Sequence, residues 1–132
     1  MAKVLGVGGV FFKAADMEGL KAWYGRVLGL EFTDWGGVFF PPLPTGGTVW
    51  SPFAADSDHF KPSDAPFMVN FVVDDLPALL ARVRAEGVEV SGETEMAGMG
   101  RFASVMDPNG VKVELWEPEA PAAADTLDVS PA

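Results

Sequence analysis

The sequence contains no cysteine and a single histidine, and its 9 basic residues stand against 19 acidic ones, a net charge of −10. Without cysteine there are no disulfides, no thiolate-bound zinc and no thiol nucleophile, and the expected compartment is a reducing cytoplasm. So acidic a chain lacks the basic patches that neutralise phosphates, so nucleic acid is not expected as a partner. No apolar run approaches the ~20 residues of a membrane span, and no membrane partner is expected either. Apolar residues 4–12 follow Lys3 and have the position of a signal peptide. They are glycine-rich, lack a small-residue cleavage site and run directly into a longer motif, which argues against that reading. Gly6-Val7-Gly8-Gly9 enters a strand pattern without the helix N-terminus and lysine of a phosphate loop. Serines are few and none sits in a nucleophile elbow; a dinucleotide fingerprint is also missing.

What is present is one pattern written twice. Residues 9–16 (GVFFKAAD) lead into a helical stripe, a Gly29-Leu30-Glu31-Phe32 stretch, and Thr48-Val49-Trp50-Ser51-Pro52. Residues 68–75 (MVNFVVDD) lead into a second stripe, Gly87-Val88-Glu89-Val90, and Glu114-Leu115-Trp116-Glu117-Pro118. Asp16 thus corresponds to Asp75, Leu20 to Leu79, Trp50 to Trp116 and Pro52 to Pro118. A duplicated half-domain implies two units that fold alike and share a site. With 132 residues, 48% of them hydrophobic, the chain is expected to form one domain over residues 1–119. Its modules span 4–52 and 66–118, joined by a polar linker at 53–65. The Ala-, Pro- and Asp-rich segment 120–132 has little to bury and is expected to be a flexible tail.

In the first module, Leu20, Trp23, Tyr24, Val27 and Leu28 recur at helical spacing behind Asp16, a good N-cap, and before Gly29, a good stop. Strands are expected at 9–15, 30–35, 38–40 and 48–51, with a hairpin turn at Gly36-Gly37. In the second, Leu76, Leu79, Leu80 and Val83 form the stripe behind Asp74 or Asp75 and before Gly87. Strands are expected at 68–73, 88–90, 102–106 and 111–116, the last two joined by the turn Asp107-Pro108-Asn109-Gly110. The fold class is α+β, built of two βαβββ modules.

Alternation along strands sorts the side chains. Val111, Val113 and Leu115 share one face of the last strand, which suits packing on helices; Lys112, Glu114 and Trp116 share the other. Gly9, Phe11 and Lys13, then Thr48 and Trp50, then Met68, Asn70 and Val72, fall on the same mixed surface. Aromatic and apolar groups with a few polar ones suit a small-molecule pocket, although large side chains also simply fill sheet interiors.

The twofold βαβββ pattern resembles the vicinal oxygen chelate superfamily, which holds glyoxalase I, bleomycin-resistance proteins and extradiol dioxygenases. The resemblance is carried by Trp23-Tyr24-Gly25-Arg26-Val27-Leu28-Gly29-Leu30 and by residues 106–115, MDPNGVKVEL, and covers about residues 4–119. It implies paired modules curling into a U-shaped mixed sheet around a cavity, with helices on the outer face. It also implies a homodimer, since such proteins commonly build cavities with modules from two chains, and Phe39, Phe40 and Phe53 read as exposed. Metal enzymes of this kind place ligands on the first and fourth strands of each module. Those positions fall here on Gly9, Thr48, Met68 and Glu114, of which only Glu114 is an ordinary ligand for a divalent cation. His59, the single histidine, lies in the linker. Neither a metal nor another cofactor is therefore expected.

The candidate site is Glu114 as the one possible catalytic group, with Phe11, Lys13, Trp50, Met68, Asn70, Arg101 and Trp116 as ligand-binding residues. Arg101 is positioned to clamp an anion bidentately or simply to be solvated. His59 beside Phe60 is either a lid residue or an exposed loop histidine. The leading functional expectation is metal-independent small-molecule binding of the glyoxalase and bleomycin-resistance type. One alternative is a lyase or isomerase with Glu114 as general base, which lacks an electrophile for the developing enolate. The other is a partner-binding module with a vestigial cavity.

Overall fold

Two aspartates set the helices. Asp16 Oδ1 accepts from the Gly19 N–H at 2.9 Å and opens α1, Met17–Trp23. Asp75 Oδ1 accepts from Ala78 N–H at 3.1 Å and opens α2, Leu76–Ala85. Each carboxylate satisfies a backbone donor that the first helical turn leaves unpaired. Both helices stop at a left-handed glycine, Gly29 (φ 76°) and Gly87 (φ 80°), a conformation costly for residues with a Cβ. α1 widens into a π-helical turn, Tyr24–Leu28, before Gly29. The structure, a computed structural model, describes residues 2–5, 7–44 and 47–119; the tail expected at 120–132 lies outside the described residues.

The sheet has four strands: β1 (Val69–Val72), β2 (Ser91–Met96), β3 (Gly100–Met106) and β4 (Lys112–Pro118). Their order is β1-β4-β3-β2, with β1 parallel to β4 and the other neighbours antiparallel. The β3–β4 hairpin is fixed by Asp107, whose Oδ1 accepts from the N–H groups of Asn109 (2.8 Å) and Val111 (2.9 Å). Both helices lie on one face of this sheet. Leu20, Trp23, Tyr24 and Val27 meet Leu76, Leu80 and Val83 over Ala103, Val105, Val113 and Leu115. The chain is thus α+β with a mixed sheet and its helices outside.

Although Tyr24 is buried, its hydroxyl donates to Asp107 Oδ2 at 2.6 Å, so the two halves are joined by a satisfied polar contact. Burial first, then that hydrogen bond and the nearby negative charge, hold the phenol's pKa well above its usual value. Arg82 adds a second tie. Its guanidinium donates to the carbonyls of Arg26 (3.2 Å) and Gly25 (3.3 Å) at the end of the first helix. Arg26 in turn pairs with Glu86 at 2.9 Å.

Two expectations need correction. At 9–15, 30–35, 38–40 and 48–51, where strands were expected, no strand forms among the described residues. The turn at Gly36 does form, with Gly36 N–H to Thr33 O and Thr33 N–H to Gly37 O both at 2.9 Å, but its arms do not zip. A strand needs a neighbouring edge, and the sequence around these segments carries Gly8, Gly9 and Gly47 and Pro41, Pro42 and Pro44, which raise the entropic cost of pairing or remove donors. The two-module sheet is therefore represented by the complete second module and by the helix of the first. The other correction concerns β2, expected at 88–90 and found at Ser91–Met96. Val88 and Val90 pack against the core instead, and Gly92 (φ 67°) lies in the stretch between Ser91 and Thr94 where the register shifts.

Candidate functional site

The sheet face away from the helices is assembled by register. Across β3 and β4, Phe102 opposes Trp116, Ser104 opposes Glu114 and Met106 opposes Lys112. On the other side of β4, Asn70 opposes Glu114 and Val72 opposes Trp116. The face therefore runs from an aromatic end, through a polar middle, to a cationic end.

Each part is held. The rings of Phe102 and Trp116 lie parallel, 3° apart in plane with centroids 5.8 Å apart. Trp116 Nε1–H donates to the Met99 carbonyl at 2.8 Å, which fixes the indole. That carbonyl belongs to a turn ending at Gly100 (φ 117°), where any Cβ would strike the Glu117 carbonyl oxygen, so glycine is required. In the middle, Asn70 Nδ2 donates to Glu114 Oε1 at 2.8 Å, a charge-assisted bond that orients the carboxylate. Ser104 is buried and satisfied by Ser91. At the far end Lys112 Nζ donates to the carbonyl of His59 at 2.6 Å.

Of the residues expected at the site, Asn70, Glu114 and Trp116 come together on this face, with half-buried Met68 just before β1. Arg101 does not join them. It opposes Glu117, whose carboxylate accepts from the Leu76 N–H at 2.8 Å on the helix side of the sheet. Arg101 instead lines a groove of about 380 Å³ with Leu76, Leu80, Arg84, Glu93 and Glu95, where Arg84 and Glu93 are paired. Phe11 (93% exposed) and Trp50 (81% exposed) stand out from the surface. Lys13 is exposed as well, and its carbonyl accepts from Asn109 Nδ2 at 3.1 Å. Among the described residues, Phe11, Lys13 and Trp50 are thus exposed rather than gathered with Asn70, Glu114 and Trp116. Phe102 and Lys112 were not among the expected site residues. Strand parity carries the signal for both, since 102 must share a face with its partner 116 and 112 lies two residues from 114.

The four positions at which metal enzymes of the resembling superfamily carry ligands do not fit a divalent cation. Gly9 has no side chain, Thr48 and Met68 offer weak donors, and Glu114 is engaged by Asn70. Among the described residues no three His, Cys, Asp or Glu side chains come together as a metal-binding group.

The pattern of the Glyoxalase/Bleomycin resistance protein/Dioxygenase superfamily matches residues 10–115. The chain belongs to this superfamily. In structure it is similar to TnmS3, an antibiotic binding protein from Streptomyces sp. CB03234, at 24% identity over 80% of this chain and 89% of that one, with a TM-score of 0.50. It is also similar to a glyoxylase/bleomycin resistance protein/dioxygenase domain from Frankia sp. EAN1pec, at 14% identity over 89% and 100% of the two chains and a TM-score of 0.54. These likenesses concern the fold. No curated protein matches the chain in sequence. No helix among the described residues is long and apolar enough to cross a membrane.

Proposed function

We propose that this superfamily member binds a planar small molecule, without a metal, on the open face of its sheet. The carrying observation is the oriented Asn70–Glu114 pair beside the parallel Phe102 and Trp116 rings on the sheet face away from the helices. Rigid aromatic area next to a few fixed polar groups is the usual composition of a small-molecule site. Trp116 and Phe102 supply the stacking surface, Glu114 accepts a donor from the ligand, and Met68 flanks β1. The donor set at the four ligand positions supports binding without a metal.

The reading includes a homodimer. Val4, Leu5, Phe11, Phe39, Val49 and Trp50 are all highly exposed apolar residues, and apolar surface gathered in patches marks interaction sites. Two-fold dimers are the commonest way of covering such surface. Through these segments Phe11, Lys13 and Trp50 would reach the face of either copy. Sedimentation equilibrium at micromolar concentration is expected to give a dimer, and a monomer overturns this part of the reading.

The site itself is tested with Glu114→Gln, which preserves shape and removes the charge. A panel of planar aromatic compounds is titrated against tryptophan fluorescence in wild type and variant. A compound that binds the wild type is expected to bind the variant at least tenfold more weakly, about 1.4 kcal/mol. Equal affinity in both proteins shows the carboxylate to be structural and favours a partner-binding role.

A further inference from the structure

The cationic end of the open face narrows the class of ligand, and this step rests on the binding reading above. We propose that the face takes an elongated planar molecule bearing an oxyanion such as a carboxylate, with the anion on Lys112 and the rings on Phe102 and Trp116.

Lys112 is held in place without being neutralised. Its ammonium carries three N–H groups, and one of them is spent on the His59 carbonyl at 2.6 Å. A carbonyl fixes the position of the charge but does not cancel it. The ion pairs among the described residues are Lys21–Glu18, Arg26–Glu86, Lys61–Asp58 and Arg84–Glu93, and Lys112 is in none of them. Glu114 is its neighbour on the same face, yet that carboxylate is turned to Asn70 and lies beyond ion-pair distance. The cation is half-buried, and the His59 carbonyl is the one hydrogen-bond partner of its ammonium among the described residues. Among the described residues its ammonium meets no carboxylate, and it stands on the same sheet face as the Phe102 and Trp116 rings.

The carbonyl that holds Lys112 is itself fixed. The His59 ring stacks on Phe53, with centroids 5.0 Å apart and planes 12° apart, and meets Phe60 edge-on. The His59 backbone N–H donates to Ser57 Oγ at 3.1 Å, and the Ser63 hydroxyl secures the linker to the Gly110 carbonyl. A donor ordered before the ligand arrives loses little entropy on binding, which favours affinity. Geometry sets the ligand's length. Lys112 and Trp116 are four residues apart on β4, roughly 13 Å at about 3.3 Å per residue. Allowing for the reach of the lysine stem, the match is a body of two to four fused rings with a short acidic arm. A donor on its middle would meet Glu114.

The bland reading is that Lys112 only anchors the linker, and K112Q separates the two. Glutamine keeps a donor for the His59 carbonyl but carries no charge, whereas K112R keeps the charge. The probes are 1-pyrenebutyrate and its neutral analogue 1-pyrenebutanol, titrated calorimetrically into the full chain. Wild type is expected to bind the carboxylate at least tenfold more tightly than the alcohol. K112Q is expected to lose that preference, and K112R to retain most of it. Raising salt from 0.05 to 0.5 M is expected to weaken the carboxylate alone. Equal wild-type affinity for the two probes, or a preference that survives in K112Q, overturns the anion assignment and leaves the binding face standing. If K112Q fails to fold, loss of the preference in K112R overturns the proposal. Binding of neither probe overturns the proposal and the binding reading together.

Discussion

The two halves of this chain carry the same pattern and reach different ends. In the second, strand, helix and three further strands close into a sheet whose inner face is dry. In the first, the helix forms but no strand does among the described residues; Ala14, Leu30 and Phe32 pack against the core while Phe11, Phe39, Val49 and Trp50 stand exposed. The local signals work equally well in both: Asp16 and Asp75 cap, and Gly29 and Gly87 stop, with nearly the same geometry. A helix is closed by hydrogen bonds within its own turns, whereas a strand depends on an edge supplied from elsewhere. What separates the halves is thus the supply of partners. The second half finds all of its partners within about fifty residues of itself. The first half docks its helix, with Ala14, Leu30 and Phe32 beside it, on the second half's core.

The largest contrast should appear on truncating one apolar side chain in each half. Leu115, 1% exposed, sits under both helices, and Leu115→Ala is expected to cost about 2–5 kcal/mol in urea unfolding. Phe11→Ala is expected to shift that midpoint by no more than about 0.5 kcal/mol, while weakening self-association. A large stability loss at Phe11 would mean that the first half is packed within one chain, and the contrast would collapse.

The tie between the halves gives the next effect. Asp107→Ala leaves the buried Tyr24 hydroxyl and two turn N–H groups without their acceptor, and a loss of about 2–3 kcal/mol is expected. Tyr24 adds a pH signature. Its folded-state pKa is raised, so below about pH 10, the ordinary tyrosine value, both states keep the proton and stability is unaffected. As pH rises past 10 the unfolded chain ionises while the folded chain does not, and stability falls. Since Tyr24 is the one tyrosine in the sequence, the slope should vanish in Tyr24→Phe when both proteins are unfolded across pH 8–11.5. A wild-type slope matching that of the variant removes the basis for this account.

The smallest expected effect belongs to Arg82. Arg82→Met keeps the aliphatic stem and removes the donors to the Gly25 and Arg26 carbonyls, at a cost of about 0.5–1 kcal/mol. Faster amide exchange confined to residues 24–30 would show that the guanidinium holds the end of the first helix. Unchanged exchange would mean that the π-helical turn closes unaided.

Much of this was legible in the sequence wherever the cause was local. The caps, the glycine stops, the Asp107 turn, the two helical stripes and the strands on either side of that turn all follow from neighbours a few residues apart. The face that gathers Asn70, Glu114 and Trp116 followed from alternation alone. Legibility failed where pairing decides. Val88 and Val90 look like strand residues because they are apolar, yet the strand that forms is the polar edge Ser91–Met96, exposed throughout, which hydrophobic pattern cannot signal. Phe11, Lys13 and Trp50 were placed on a shared surface by strand parity, and parity has no meaning for a segment that pairs with nothing. Arg101 was expected among the ligand-binding residues; one more application of the same parity, from Phe102, puts it on the helix side.

The hydrogen bond from Tyr24 to Asp107 spans 83 residues, and a ribosome delivers its two ends at different times. At about 5–20 residues per second, roughly 4–17 s pass between them. Throughout that interval the emerging half has a capped helix, a long apolar stretch on either side of it, and no core to bury either. The nascent first half is therefore what a holdase chaperone meets, and completion of the β3–β4 hairpin is the event that ends the encounter. A premature stop before residue 107 would leave a fragment that a protease, rather than a fold, resolves.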